Sequence, residues 1–445
     1  MLPDTKNPLI FNVLIIVTLV TIAFSLRLYY INHTVIDAPI RADAKDYYSY
    51  AVNIKNHHVY SRAWPSKAIP KPDTLRAPGY PFFISKLVSW PPTKSMLWKI
   101  SFWQALLDTL TVLMTFLLAR HFLNTKLAVL AALFVAISPH LISATSYLLT
   151  ETLFGCLMTA SVLTIVSAVK RNSQPIFLLA GILLALASLT RPTIQYFIVP
   201  LAVGLFIAQN QLLLKKGVWL SLILGFFLTY TPWTVRNIET LGVTSDPTLT
   251  INTLHHGIYP DFMYKSIPQT KGAPYHHDPR SKEISTSVRS VLDEIISRFK
   301  NEPLRHLKWY LIDKPITFFS WGIVAGFGDV FIYPVIKSPY FNNPTYKNIH
   351  QVMHWLHWPL VILSLFACCV VWLPNRILKL SVHGLISIRI LSLLTLYFLA
   401  VHIVGAPFPR YSFPLRPVTF ILASWSIGFL IKSTSRIGAN HEEKP

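Results

Sequence analysis

Acidic residues are scarce in this chain of 445 residues: 19 Asp and Glu stand against 40 Lys and Arg, a formal net charge of +21. Charge of either sign is scarce too, at 13% of residues, where a soluble domain carries about 25%. Cysteine is nearly absent. Cys156, Cys368 and Cys369 are too few for a disulfide framework, and no CxxC or HExxH spacing marks a redox or metal centre. No internal repeat or low-complexity tract interrupts the chain. The basic excess would point to nucleic acid if it clustered on a polar domain. Here it punctuates apolar runs instead, so no nucleic-acid partner is expected. What the chain has in quantity is hydrophobic residues, 52% of the total. They fall in runs of about 20, the length that crosses about 30 Å of hydrocarbon. This is the composition of an all-α polytopic membrane protein.

The apolar runs predict about ten transmembrane helices, near 9–28, 98–119, 127–146, 150–169, 175–190, 193–209, 217–233, 353–373, 388–405 and 415–432. The first is too long for a cleaved signal peptide and lacks a small-residue cleavage site, so it reads as a retained anchor. Two long polar segments, 32–97 and 235–352, are rich in Pro, Tyr and Trp and read as ordered loops of one membrane domain spanning 1–445. The short connections carry Arg120 with Lys126, Lys170 with Arg171, Lys215 with Lys216, and Arg376 with Lys379, with no carboxylate among them. Short basic connections stay cytoplasmic. Both termini are therefore expected in the cytoplasm and both long loops outside, most simply in a bacterial inner membrane. The stretch 315–336 reads as an interfacial or re-entrant segment because of its Gly, Pro and Asp329.

With this topology the polar residues sort themselves. Between Lys99 and Arg236 the only carboxylates are Asp108 and Glu151. Asp108 lies about 15 Å into the second span at 1.5 Å per residue, where an acid must face a bundle interior or a wet cavity. Gln104 shares its helical face. Glu151 sits at the outer end of the fourth span. Arg191 (LTRPT), Arg236 (YTPWTVRN), and Arg410 with Arg416 (PRYSFPLRP) all fall at the same outer level, and Arg76 (LRAPGYPFFI) closes the first loop. One account makes these arginines mere interfacial anchors. As a set with nearby acid, they predict a site for an anion that carries a lipid tail. Asp43 and Asp46 open a helical pattern in RADAKDYYSYAVNI. Their spacing also suits an N-cap followed by a first-turn acid, with no chemistry. His350, His354 and His357 share one helical face, the spacing of a metal site or of ordinary interfacial histidines.

The order of these pieces resembles a family. A first span, an outer loop with DAKDYYSYAVN, then RAPGYPFF, is similar to the polyprenyl-phosphate-sugar transferases of the GT-C superfamily, closest to the protein-mannosyltransferase and aminoarabinose-transferase branch (glycosyltransferase families 39 and 83). FWQALLDTLTVLMTFLLAR, SPHLISATSYLLTETLF, LASLTRPT, YTPWTVRN and PRYSFPLRP follow in the matching order. The resemblance implies a GT-C-like fold, a polyprenyl-phosphate sugar donor, and a glycan, lipid or protein acceptor. It implies Asp43 as the base, with Asp46 fitting the same motif, and Glu151 as the second acid. Some members of the superfamily use a divalent cation, which would sit between Asp43 and Glu151. The aminoarabinose branch usually shows an acidic-lysine-proline run where this chain has LRAPGY, which counts against a lipid A acceptor. Arg76, Arg191, Arg236, Arg410 and Arg416 are the candidates for holding the departing phosphate. A secondary transporter, or an O-antigen polymerase or ligase, are the rival classes.

The orientation is directly testable. Reporter fusions after Arg171, Lys216 and Leu380 should report cytoplasm, and fusions within 240–310 the outer compartment. A cytoplasmic signal from 240–310 would overturn the orientation and with it the site.

Overall fold

The computed structural model describes residues 8–210, 214–260, 273–323 and 326–442. Among the described residues seven helices are long and apolar enough to cross a membrane: Ile10–His33, Lys94–Ala119, Glu151–Arg171, Val218–Leu241, Pro344–Val370, Val382–Val404 and Pro409–Ser433. Three shorter apolar helices, Thr125–Ala136, Gln174–Thr190 and Pro192–Ala208, occupy the positions of the remaining expected spans. The architecture is the all-α membrane bundle the hydropathy predicts.

Two spans differ from their expected form. The third is not a continuous helix over 127–146 but a 12-residue helix that ends at Ala136 and a short one, Pro139–Ala144. Pro139 lacks the N–H that would continue the ladder and disfavours helical backbone at Ser138. Periodicity cannot see that break. The sixth begins in a tighter 3-10 turn, Pro192–Phe197, before its helix Ile198–Ala208, again behind a proline.

Lipid tails are as apolar as leucine, so helices in a bilayer associate by close packing and polar contacts rather than by hydrophobic burial. Both devices are present. Where Gln174–Thr190 packs on Val218–Leu241, a Cβ added at Gly181 would lie 2.0 Å from the Leu222 carbonyl oxygen, and one at Gly225 2.1 Å from that of Leu178. Only glycine fits this crossing. Deeper in the bundle, Arg27 Nε donates to Asp108 Oδ2 at 2.6 Å, with both side chains almost wholly buried. Its Nη1 reaches the Ala136 carbonyl at 2.8 Å and its Nη2 that of Val135 at 3.1 Å. Asp108 thus faces the bundle interior as its depth requires, and its partner also satisfies the carbonyls left open where the third span breaks. Gln104 accepts from Tyr80 Oη at 2.8 Å and donates to the Thr145 and Tyr147 carbonyls.

The outer loops are ordered. The first carries the helices Ala42–His57 and Gly79–Ser85. The second carries Thr248–Gly257, Val288–Asn301 and Pro303–Lys308, the last continuing through a π-helical turn into Lys314–Phe318. Among the described residues of 315–336 no helix is long enough to cross. The chain turns back on itself and ends in a strand, Val335–Lys337, paired antiparallel with Val35–Ile36. That pairing brings the end of the second loop against the start of the first.

Removing one member of the Arg27–Asp108 pair strands a buried charge, which typically costs about 3–5 kcal/mol. Arg27→Met should therefore lower thermal stability in detergent sharply. Arg27→Met combined with Asp108→Leu should recover much of the loss. A single variant as stable as wild type would contradict the buried pair.

Candidate active site

At the meeting of the two loops lies a cavity of about 350 Å³ whose wall includes Arg41, Asp43, Phe327, Tyr333, Phe408 and Arg410. Its lining is charged at Arg41, Asp43 and Arg410 and apolar at Ile323, Phe327, Ile332 and Phe408. The strand pairing and the 2.9 Å bond from Asp37 N–H to the Pro334 carbonyl hold the apolar wall in place.

Asp43 is in the first turn of Ala42–His57, whose N-cap is Arg41. The N-cap account of Asp43 is therefore corrected: the helix starts two residues earlier, and no side chain caps it. Ala42, also on the cavity wall, has φ +44°, a left-handed conformation that costs a non-glycine residue about 1–2 kcal/mol. The Asp43 carboxylate points instead into arginines. Its Oδ1 accepts from Arg76 Nη2 at 2.8 Å, and its Oδ2 accepts from Arg410 Nη2 at 2.5 Å. Burial by itself would raise the pKa of Asp43, but Arg410 and then Arg76 outweigh it and hold the carboxyl well below the usual carboxylate range. The same Arg76 binds Asp46 through Nε at 3.0 Å and Nη2 at 2.8 Å, and lies over the Tyr47 ring. Asp46 is thus part of the cluster but is not among the residues that line the cavity.

Glu151 opens its helix, as expected, and pairs with Arg191 Nη1 at 3.3 Å. Arg191 lies 4.1 Å above the Tyr411 ring, and Glu151 Oε2 is buried without a hydrogen-bond partner. The segment Pro409–Leu415 lies against this helix one turn along, with Pro414 in van der Waals reach of Gly155. Arg410 belongs to that segment and feels the charge of both Asp43 and Glu151. Lys314 fixes the segment's other end. It is buried, donates to the carbonyls of Ile403 at 2.6 Å and Gly405 at 2.9 Å, and sits 3.6 Å over the Tyr310 ring. Burial holds its pKa well below the usual lysine range.

Two of the five predicted arginines are elsewhere. Arg236 donates to the Asp73 carbonyl at 3.0 Å and the Tyr60 carbonyl at 3.4 Å, with Tyr60 and Trp233 beneath it, so it braces the first loop. Arg416 is buried beside His357. His357 Nε2–H donates to the Phe319 carbonyl, which leaves Nδ1 to accept from Arg416 Nη1 at 3.3 Å. The three histidines gather around one ring, Trp321, with centroids 5.3, 4.9 and 5.4 Å away for His350, His354 and His357, while His350 also pairs with Asp329 at 2.8 Å and His357 is engaged as described. Among the described residues no three His, Cys, Asp or Glu side chains are placed to hold a metal ion. Nor do the site's donors suit a divalent cation, which needs several free oxygens. Both oxygens of Asp43 already accept from guanidiniums. Arg41, Tyr333, Phe327 and Phe408 were not picked out by sequence. Arg41 is adjacent to the acidic motif, but no periodicity announces that residues near 323–334 fold back over it.

Comparison with known proteins bears on this geometry. Residues 76–235 match the model of the family described as dolichyl-phosphate-mannose-protein mannosyltransferase. That segment holds Arg76, Glu151 and Arg191 but neither Asp43 nor Arg410. No curated protein matches the chain. Among solved structures, the archaeal oligosaccharyltransferase AglB from Archaeoglobus fulgidus, in complex with an inhibitory peptide and a dolichol-phosphate, superposes with TM-score 0.54 at 13% identity, over 98% of this chain and 52% of that one. The apo form of the Archaeoglobus fulgidus oligosaccharyltransferase gives TM-score 0.52 at 13% identity, over 96% and 51%. ArnT from Cupriavidus metallidurans, bound to undecaprenyl phosphate, overlaps at TM-score 0.38 and 12% identity, over 95% and 78%. The chain spans about half the length of the archaeal enzyme. The chain shares the membrane fold of the archaeal oligosaccharyltransferase, and its residues 76–235 match the mannosyltransferase family model, both in agreement with the motif order.

Proposed function

We propose that the protein transfers a sugar from a polyprenyl-phosphate donor to an acceptor at the outer face of the membrane, most simply a bacterial inner membrane with both chain termini inside. The observation that carries this reading is a carboxylate, Asp43, placed with Arg410 on the wall of one small cavity at the level where the long loops meet the bundle. A volume of about 350 Å³ is at the lower end of ligand pockets, in keeping with one sugar rather than a long glycan. The fold's archaeal oligosaccharyltransferase carries a dolichol-phosphate, a ligand of the same class.

The chemistry follows from the groups. In the donor, the anomeric carbon is bonded to a phosphate oxygen, already a good leaving group. The acceptor's oxygen or nitrogen attacks that carbon from the opposite face, and its proton passes to the Asp43 carboxylate. The bond to phosphate breaks with its electron pair, and polyprenyl phosphate departs carrying one more negative charge. Direct displacement inverts the anomeric centre. Guanidiniums aimed at the phosphate stabilise that growing charge, because their planar fork can hold two oxygens at once. Glu151 and Arg191, adjoining through Tyr411, form a second acid–base pair that shapes the field at Arg410. The rival transporter reading finds less support, since the one deep charged pair, Arg27 with Asp108, is sealed in the bundle rather than lining a path.

Purified protein incubated with defined polyprenyl-phosphate sugars and cell-envelope acceptors should yield a mass increment of one sugar. Solute uptake into proteoliposomes without any transfer would favour transport. Transfer only from pyrophosphate-linked glycans would favour the polymerase or ligase class. Asp43→Asn should keep the protein folded and lower the transfer rate by about 100- to 10,000-fold, the usual contribution of a general base. Near-normal transfer by this variant would remove Asp43 from the role and direct attention to Asp46 and Glu151.

A further inference from the structure

Around the cavity the arginines are unequally committed. Arg76 is shared by Asp43 and Asp46, and Arg410 is taken by Asp43. Away from the cavity wall, Arg191 is paired with Glu151, Arg236 is spent on carbonyls, and Arg416 is buried against His357. Arg41 alone among the cavity's guanidiniums has no carboxylate within ion-pair distance among the described residues, and its nearest aromatic neighbour is the Tyr333 ring at 6.0 Å. Three guanidiniums, Arg41, Arg76 and Arg410, thus face two carboxylates, Asp43 and Asp46. One positive charge is left over, and it sits on the cavity wall.

We infer that Arg41 is the residue that captures the phosphate of the lipid donor, leaving Arg410 and Arg76 on Asp43. The assignment rests on the transferase reading above and deepens it. A phosphodiester carries one negative charge, which matches the single uncompensated positive charge. Arg41 is the N-cap residue of the 16-residue helix Ala42–His57, in extended backbone (φ −133°, ψ 163°), and its side chain makes no capping bond. It can therefore turn to a ligand without undoing the helix start. The positive end of that helix's dipole lies beside the same phosphate position and favours an anion there. With Arg41 on the phosphate, the Asp43 carboxylate stays fixed by its own two arginines and remains available to the acceptor. The leaving phosphate gains charge as its bond to the sugar breaks, so the same fork binds the product more strongly than the donor.

The test uses purified full-length protein in nanodiscs and bare polyprenyl phosphate as the probe. Arg41→Gln should weaken binding by about 10- to 100-fold, the loss of a charge-assisted contact. It should raise the donor KM and also lower kcat at saturating donor, because the fork holds the charge that grows on the leaving phosphate. Arg41→Lys, a point charge without the fork, should recover part of the affinity. Lys45→Gln, an exposed cation on the same helix that lies over Trp64, should change nothing. Melting curves establish that each variant is folded, and the Lys variant carries the test if the Gln variant is not. Arg41→Gln with affinity within twofold of wild type would overturn the assignment. Wild-type protein that binds no polyprenyl phosphate would overturn the donor reading itself, a distinct result.

Discussion

Two guanidiniums on one carboxylate set the character of this site. Arg76 arrives from the end of the first outer loop and Arg410 from the segment before the last span, and they meet on opposite oxygens of Asp43. The contact with Arg410 joins positions 367 residues apart. Much of the outer architecture serves it: the strand pairing of Val35–Ile36 with Val335–Lys337, the capping of Ile403 and Gly405 by Lys314, and the seat for Pro414 at Gly155. The clamp also has a chemical consequence. A carboxylate held this far below its usual range is fully ionised and ready to accept a proton, but it is a weak base. A base works best with a pKa near the working pH. Any shift of positive charge from Asp43 toward a bound phosphate strengthens it, so donor binding and base strength are physically linked.

The membrane imposes the second constraint. In hydrocarbon each unpaired polar group costs several kcal/mol, so every deep polar residue must be matched. Arg27 shows how fully: one guanidinium neutralises Asp108 and closes the carbonyls exposed by the proline break after Ala136. Gln104 performs the same service for the Thr145 and Tyr147 carbonyls, just before Glu151 begins its helix. These contacts tie the broken third span to the helix that begins at Glu151. Rigidity below supports geometry above.

Much of this was legible in the sequence, for reasons that can be stated. Apolar runs of about 20 residues gave the positions of the bundle helices, because hydrocarbon thickness is a one-dimensional signal. Asp108 was expected to face the interior on depth alone, and it does. The coincidence of Asp43, Arg76 and Arg410 was expected only as a common level in the membrane; their contact depends on loop paths that no local pattern encodes. The N-cap reading of Asp43 failed because the helix already begins at Ala42, behind Arg41, and the Asp43 carboxylate is taken by Arg76 and Arg410. The break at Pro139 was visible as a residue but was outweighed by the hydropathy around it. The histidines at 350, 354 and 357 share a helical spacing, and that shared face packs on the Trp321 ring, with Asp329 and the Phe319 carbonyl taking ring nitrogens of His350 and His357. Arg416 and Arg236 looked like Arg410 in sequence. Only burial and partners separate a brace from a binding group.

The central claim is that a lipid phosphate enters the cavity between Arg41 and Arg410 with its sugar beside Asp43. Cryo-electron microscopy of the protein in nanodiscs with polyprenyl phosphate tests this most directly. The account predicts phosphate density inside that cavity, within about 3 Å of guanidinium nitrogens of Arg41 and with Arg410 adjacent, the distance of a charge-assisted hydrogen bond. Phosphate density instead at Arg236 or Arg416, with the cavity empty of it, would contradict the account.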